Sequence, residues 1–204
     1  MERDDTACTL RRFLEDRFSL QFLSAPPPVG LKQTEDWINQ IALAYGREKR
    51  AKRLISEISA SYSRRLETLR PVLKGKRVLI FTYLQELDWL LETILDLGMN
   101  VEKLCLYNSC IKQAFSSRLS EIPAEINYSA SRRDHDIEEC RPDLVLSNYL
   151  PSRMIQGINY AVVPLCPRLG WSTGLDHAEL WARNSLIPFV EGWRHDQKLF
   201  STLS

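Results

Sequence analysis

Up to residue 70 the apolar positions of this chain recur every three or four residues; beyond it, short continuous apolar runs alternate with segments of helical period. In residues 8–18, Leu10, Phe13, Leu14 and Phe18 stand at helical spacing among charges and predict an amphipathic helix. The apolar run at 20–23 predicts a strand, stopped by Pro26, Pro27 and Pro28, which bring no amide donors to a ladder. Glu35 and Asp36 suit the first turn of a helix that starts within 32–35 and runs to Tyr45, where Gly46 ends it. From 47 to 69, Leu54, Ile58, Tyr62, Leu66 and Leu69 form one apolar stripe on a helix whose other faces mix Arg, Lys and Glu. The interleaved glutamates make that face a solvated one rather than an RNA-binding one.

The pattern changes at Pro71. Residues 76–81 (Lys-Arg-Val-Leu-Ile-Phe) are a near-continuous apolar run after Gly75, as expected of a strand buried on both faces. Leu87, Leu90, Leu91, Ile94, Leu95 and Leu97 then predict a helix ending at Gly98, and 101–107 a second strand. This strand–helix–strand unit fits a right-handed parallel crossover. A weaker version follows: helix at 114–119, short strand at 125–128, helical turn at 134–140, buried strand at 141–147, short helix at 151–157 and strand at 160–165. Residues 175–186 predict an amphipathic helix, and 190–200 a last one. Such alternation predicts an α/β protein, a Rossmann-like doubly wound parallel sheet with flanking helices. Residues 71–204 read as that domain. Residues 1–70 read as an N-terminal helical segment that completes a preceding or swapped α/β domain.

Composition narrows the function classes. Hydrophobic residues are 44% and charged residues 26%, ordinary for a globular protein, and the formal charge of +1 gives no reason to expect nucleic acid or an anionic membrane as partner. No apolar stretch reaches the roughly 18 residues of a membrane span. The first residues are charged throughout, with no apolar core of a secretory signal. The five cysteines (Cys8, Cys105, Cys110, Cys140 and Cys166) are irregularly spaced with no CxxC pair, and read as reduced thiols of a cytoplasmic protein.

Catalytic signatures are sparse. The chain has no GxGxxG, no GxxxxGK[ST] and no HExxH, and His135, His177 and His195 share no metal-ligand spacing. His177 reads best as a surface or helix-packing residue. Thr82 and Tyr83, Asn108, and Ser147 and Asn148 each fall just after a predicted strand, where parallel sheets place their ligand crevice. With the loop from Cys166 to Trp171 they are expected to converge on one edge of the sheet as cofactor-binding candidates. The competing reading is of ordinary polar loop ends.

Three stretches, taken in order, resemble the nitrogenase component 1 family. The first runs from Leu14-Glu15-Asp16-Arg17-Phe18-Ser19-Leu20 through Pro26-Pro27-Pro28-Val29-Gly30 to Thr34-Glu35-Asp36-Trp37-Ile38. The second is Gly75-Lys76-Arg77-Val78 with Leu95-Asp96-Leu97-Gly98-Met99, similar to the family's GKRV strand and the helix after it. The third joins Pro142-Asp143-Leu144-Val145 to Gly170-Trp171 and the helix Gly174-Leu175-Asp176-His177-Ala178. Each motif is common in α/β proteins; it is their order and spacing that carries the likeness.

The resemblance implies a nitrogenase-like oxidoreductase subunit that takes electrons from an iron-protein ATPase and pairs with a second component 1-like subunit. Family subunits are about twice this long, and a further domain carries the cysteines of an interface iron–sulfur cluster. The chain therefore reads as a piece of a longer subunit, the alternative being a natural half-subunit. Any iron–sulfur-based metallocluster would be shared with a region outside this chain or with the partner, and none is expected on this piece alone. In catalytic relatives a cysteine of the first helix and a histidine before the closing loop hold the cofactor. Here the cysteine's counterpart falls near Arg11, one turn from Cys8, and residues 158–169 hold no histidine but do hold Cys166. Cys8 and Cys166 are accordingly the metal-ligand candidates, against the plain alternative of structural thiols. Two other functions compete: a non-catalytic scaffold or carrier for metallocluster assembly, and an unrelated α/β protein binding a small metabolite.

Overall fold

The computed structural model describes residues 3–18, 27–83, 87–107, 121–149 and 158–186. The elements expected at 20–23, 114–119, 151–157 and 190–200 lie outside the described residues.

Three helices come first: α1 (Arg3–Phe18), α2 (Leu31–Tyr45) and α3 (Glu48–Leu73). α2 stops where expected, with Gly46 in the left-handed conformation (φ 61°) that its missing Cβ permits. α3 runs past the expected end at 69 and through Pro71 to Leu73. Proline removes one helical hydrogen bond there. Burial of Leu69 and Leu73 on either side of it holds the last turn in place. α1 forms, but its apolar residues Leu10, Phe13 and Phe18 remain exposed.

The rest alternates strand and helix: β1 (Arg77–Thr82), α4 (Asp88–Asp96), β2 (Asn100–Leu106), β3 (Ala124–Ile126), α5 (Arg133–Cys140), β4 (Leu144–Ser147), β5 (Asn159–Val162) and α6 (Thr173–Leu186). The five strands form one sheet in the order β3-β2-β1-β4-β5, and every neighbouring pair is parallel. This is the Rossmann-like doubly wound sheet that the apolar runs predicted.

The strands are apolar on both faces because both faces are covered. Val78, Ile80, Leu104, Leu106, Leu144, Leu146, Ala161 and Val163 join one core with residues of α3, α4 and α6. Leu79, Phe81, Cys105, Val145 and Tyr160 face the other way, into a second core with Tyr128 and Ile137. Alternate residues of one strand thus enter different cores, as the period-two geometry of a strand requires. Each fully buried Leu, Ile, Val or Phe contributes about 1.5–3 kcal/mol, which makes β1 the best-anchored strand. Tyr62, Leu66, Leu69 and Leu73 of α3 belong to the first core, so the long charged helix packs on the sheet layer through the stripe its sequence shows.

α4 and α6 meet at a close approach. Thr93 hydrogen-bonds back to the Trp89 carbonyl (2.7 Å), and Gly174 lies against it. A Cβ on Gly174 would overlap Thr93 Oγ1 and stand 2.9 Å from its Cβ. His177, one turn on, packs on the Trp89 ring (5.6 Å between centroids), and burial lowers its pKa. The strand-like segment before α2 is tied to the loop before α6 by Gly30 N–H to Gly170 O (3.0 Å) and Gly170 N–H to Pro28 O (2.8 Å).

Candidate functional site

The chain leaves β1 toward β2 and leaves β4 toward β5, so the winding direction reverses between β1 and β4. Connections that diverge at the carboxyl ends of two adjacent parallel strands open a crevice there. Thr82 and Tyr83 stand at the end of β1, and Ser147 and Asn148 at the end of β4, with Phe81 and Ser147 paired across the ladder.

Asn148 knots this edge together. Its Oδ1 accepts from Thr82 Oγ1 (2.9 Å) and from the Tyr83 amide (2.7 Å), while its Nδ2 donates to the Val163 carbonyl beyond β5 (2.8 Å). One buried side chain therefore spans from β1 across β4 to β5. Ser147 is also buried, and its Oγ accepts from the Tyr149 amide (3.3 Å). Of the residues expected to converge on this edge, Thr82, Tyr83, Ser147 and Asn148 are brought together. Thr82, Ser147 and Asn148 form its floor; Tyr83 rises above it, 41% exposed.

Asn108 lies outside the described residues. Cys166 is exposed in the loop after β5. Trp171 packs against the first core with the Arg65 guanidinium over its ring (6.0 Å), and Arg65 in turn pairs with Asp176 and Glu179 of α6 (2.7 Å each). Cys8 falls within α1, but its side chain lies outside what is described. Among the described residues, no group of three or more His, Cys, Asp and Glu side chains is placed to hold a metal ion.

Residues not singled out in the sequence complete the edge. Tyr107 follows β2 and stacks on Tyr83, with ring centroids 4.5 Å apart and planes 26° apart. Tyr149, after β4, meets Tyr83 edge-on (6.2 Å, 76°). Tyr128 continues the chain inward, 5.8 Å from Tyr107 and 5.4 Å from Phe81. A signal existed for this cluster: Tyr83, Tyr107 and Tyr149 each come within two residues of a strand end.

Beneath the tyrosines the chemistry is structural. Tyr128 donates to Asp136 Oδ2 (3.0 Å), which also receives Lys103 (3.1 Å); Lys103 reaches Glu125 (2.6 Å), and Glu125 takes Arg132 (2.7 Å). Burial works to raise the Asp136 carboxyl, but the hydrogen bonds from Lys103 and Tyr128 outweigh it and hold it below the usual range. Burial pushes the Cys105 thiol up to about 12, so it stays protonated and inert at neutral pH. Tyr107 is likewise raised by burial, against the opposing charge of Arg133.

The family model described as nitrogenase component 1 type oxidoreductase matches residues 2–177. Two solved structures, nitrogenase Cp1 at pH 5 and at pH 6.5, superpose with TM-scores of 0.62 and 0.60 at 9% sequence identity. The matches cover 92% and 91% of this chain but only 46% and 47% of those chains. The chain thus spans about half their length, and at such identity the likeness is one of fold. No curated protein sequence matches.

Proposed function

Because the chain belongs to the nitrogenase component 1 type oxidoreductase family, we propose that it forms the C-terminal part of a component 1-like oxidoreductase subunit. In this reading the subunit receives electrons from an iron-protein ATPase, pairs with a second component 1-like subunit and helps form a cofactor or substrate pocket. The supporting observation is the winding reversal between β1 and β4, with polar and aromatic side chains gathered at its mouth. The family match retires the reading of the chain as an unrelated metabolite-binding protein.

A resident metallocluster does not fit the described residues by themselves, since they offer no cluster of ligands. The exposed Cys166 thiol, after β5, is the described side chain of this chain best suited to add one ligand. Cys8 is the second candidate, and the remaining ligands would come from outside the chain. What this chain's own residues contribute is positional: Asn148 holds the ends of β1, β4 and β5 at fixed spacing, and the tyrosines cover the floor from water.

The test is anaerobic co-expression with a second component 1-like subunit, followed by reduction with an iron-protein ATPase and ATP. A stable complex that takes up electrons only with ATP is expected. A complex that forms but accepts none would assign the chain to cluster assembly as scaffold or carrier. Failure to form any complex refutes the subunit reading.

A further inference from the structure

We propose that Tyr83, Tyr107 and Tyr149 form a stacking cradle for a planar aromatic ligand carrying an anionic group, with Arg133 as the counter-charge. This rests on the reading of the β1/β4 edge as the functional pocket and gives that pocket a ligand class.

The three rings come from the ends of three adjacent strands, β2, β1 and β4. Strands in a sheet lie about 4.8 Å apart, which brings residues at neighbouring strand ends within aromatic stacking distance. Tyr83 and Tyr107 use that spacing in full, with centroids 4.5 Å apart and planes nearly parallel. Tyr149 stands edge-on to Tyr83, so the pair and the third ring make an L-shaped wall rather than a closed cluster.

Exposure separates the cradle from structural tyrosines of the same chain. Tyr128 and Tyr62 are buried with their hydroxyls tied to Asp136 and Asp96. Tyr83 and Tyr149 instead leave 41% and 59% of their surface open at the carboxyl edge of the sheet. Neither packs in either core. Tyr107 packs against the second core and backs the cradle, while the exposed rings of Tyr83 and Tyr149 present π-faces to whatever enters the crevice, and stacking on such faces accepts any flat aromatic system.

Charge supplies the second half of the recognition. Arg133 begins α5, five residues after Tyr128, whose ring lies 5.8 Å from that of Tyr107, and its positive charge opposes the rise of the Tyr107 hydroxyl. Among the described residues it is ion-paired to Asp134, an exposed neighbour at 3.4 Å, a weak pairing that an incoming anion can replace. The nearby carboxylates Glu125 and Asp136 are each already neutralised by Lys103 and Arg132, which reduces their opposition to an anion beside Arg133.

Flavin mononucleotide is a suitable probe, because stacking on tyrosine quenches isoalloxazine fluorescence, and riboflavin lacks only its phosphate. The chain carries all four residues, so it is expected to quench flavin mononucleotide saturably on its own, and riboflavin more weakly. Tyr149→Ala should weaken binding about tenfold, while Tyr149→Phe, which keeps the π-face, should leave it within about twofold. Arg133→Gln should bring flavin mononucleotide down to the affinity of riboflavin. Thermal unfolding of each variant separates lost binding from lost folding. Absence of saturable quenching, or quenching unchanged in folded Tyr149→Ala, overturns the cradle. Equal affinity for the two flavins overturns the anionic part. Electron uptake plays no part in this readout, so the cradle and the subunit reading fail separately.

Discussion

Asn148→Ala is the sharpest test of how the candidate site is held. The side chain makes three hydrogen bonds in a buried position: two accepted, from Thr82 Oγ1 and the Tyr83 amide, and one donated, to the Val163 carbonyl. At about 1 kcal/mol net for each buried hydrogen bond, truncation costs about 3 kcal/mol. For a domain of this size that is a fall in melting temperature of about 6–12 °C. Circular dichroism at a helical wavelength reads the transition, and a urea titration with unchanged slope confirms a stability effect. Thr82→Val supplies the partner for a double-mutant cycle. Because the Thr82 hydroxyl donates to Asn148, the two substitutions together should cost about 1 kcal/mol less than their sum. A melting temperature within about 2 °C of the parent protein, or additive costs in the cycle, would show that the knot between β1, β4 and β5 contributes little.

Two further outcomes follow from other parts of the fold. Gly174→Ala drives a methyl group into Thr93, which is itself fixed by its bond to the Trp89 carbonyl, and should destabilise the protein by about 1–3 kcal/mol in a urea titration. Thr93→Ala in that background should recover part of the loss, and a Gly174→Ala protein of parental stability would refute the close packing of α4 on α6. Iodoacetamide at pH 8, followed by peptide mass mapping, should label the exposed Cys166 and spare Cys105, whose buried thiol is held at about 12. Equal labelling of the two in the folded protein would contradict the burial of β2.

The reading of strands from continuous apolar runs succeeded because a sheet covered on both faces leaves no polar position along its central strands. Val78 to Phe81 illustrate this: all four are fully buried, two in each core. Helix ends were legible where a glycine was needed, as at Gly46, and misjudged where packing overruled local preference, as at Pro71. The amphipathic helix near the start formed, yet its apolar residues Leu10, Phe13 and Phe18 found no cover, since periodicity predicts a face but not what lies against it. That Thr82, Tyr83, Ser147 and Asn148 would gather at one edge of the sheet was legible from strand ends alone. Trp171 followed the same loop logic but is held by Arg65 and the first core.

By itself, the sequence determined the alternation of strand and helix, the burial of the central strands and the family, because each is written in local period or in the order of short motifs. Tertiary structure alone decided the strand order β3-β2-β1-β4-β5, and with it which strand ends became neighbours. Thr82 and Asn148 stand 66 residues apart, and Tyr83 and Tyr107 come from separate strands, so no local pattern records that they touch. Strand pairing created those contacts, and the candidate site of this protein is made of them.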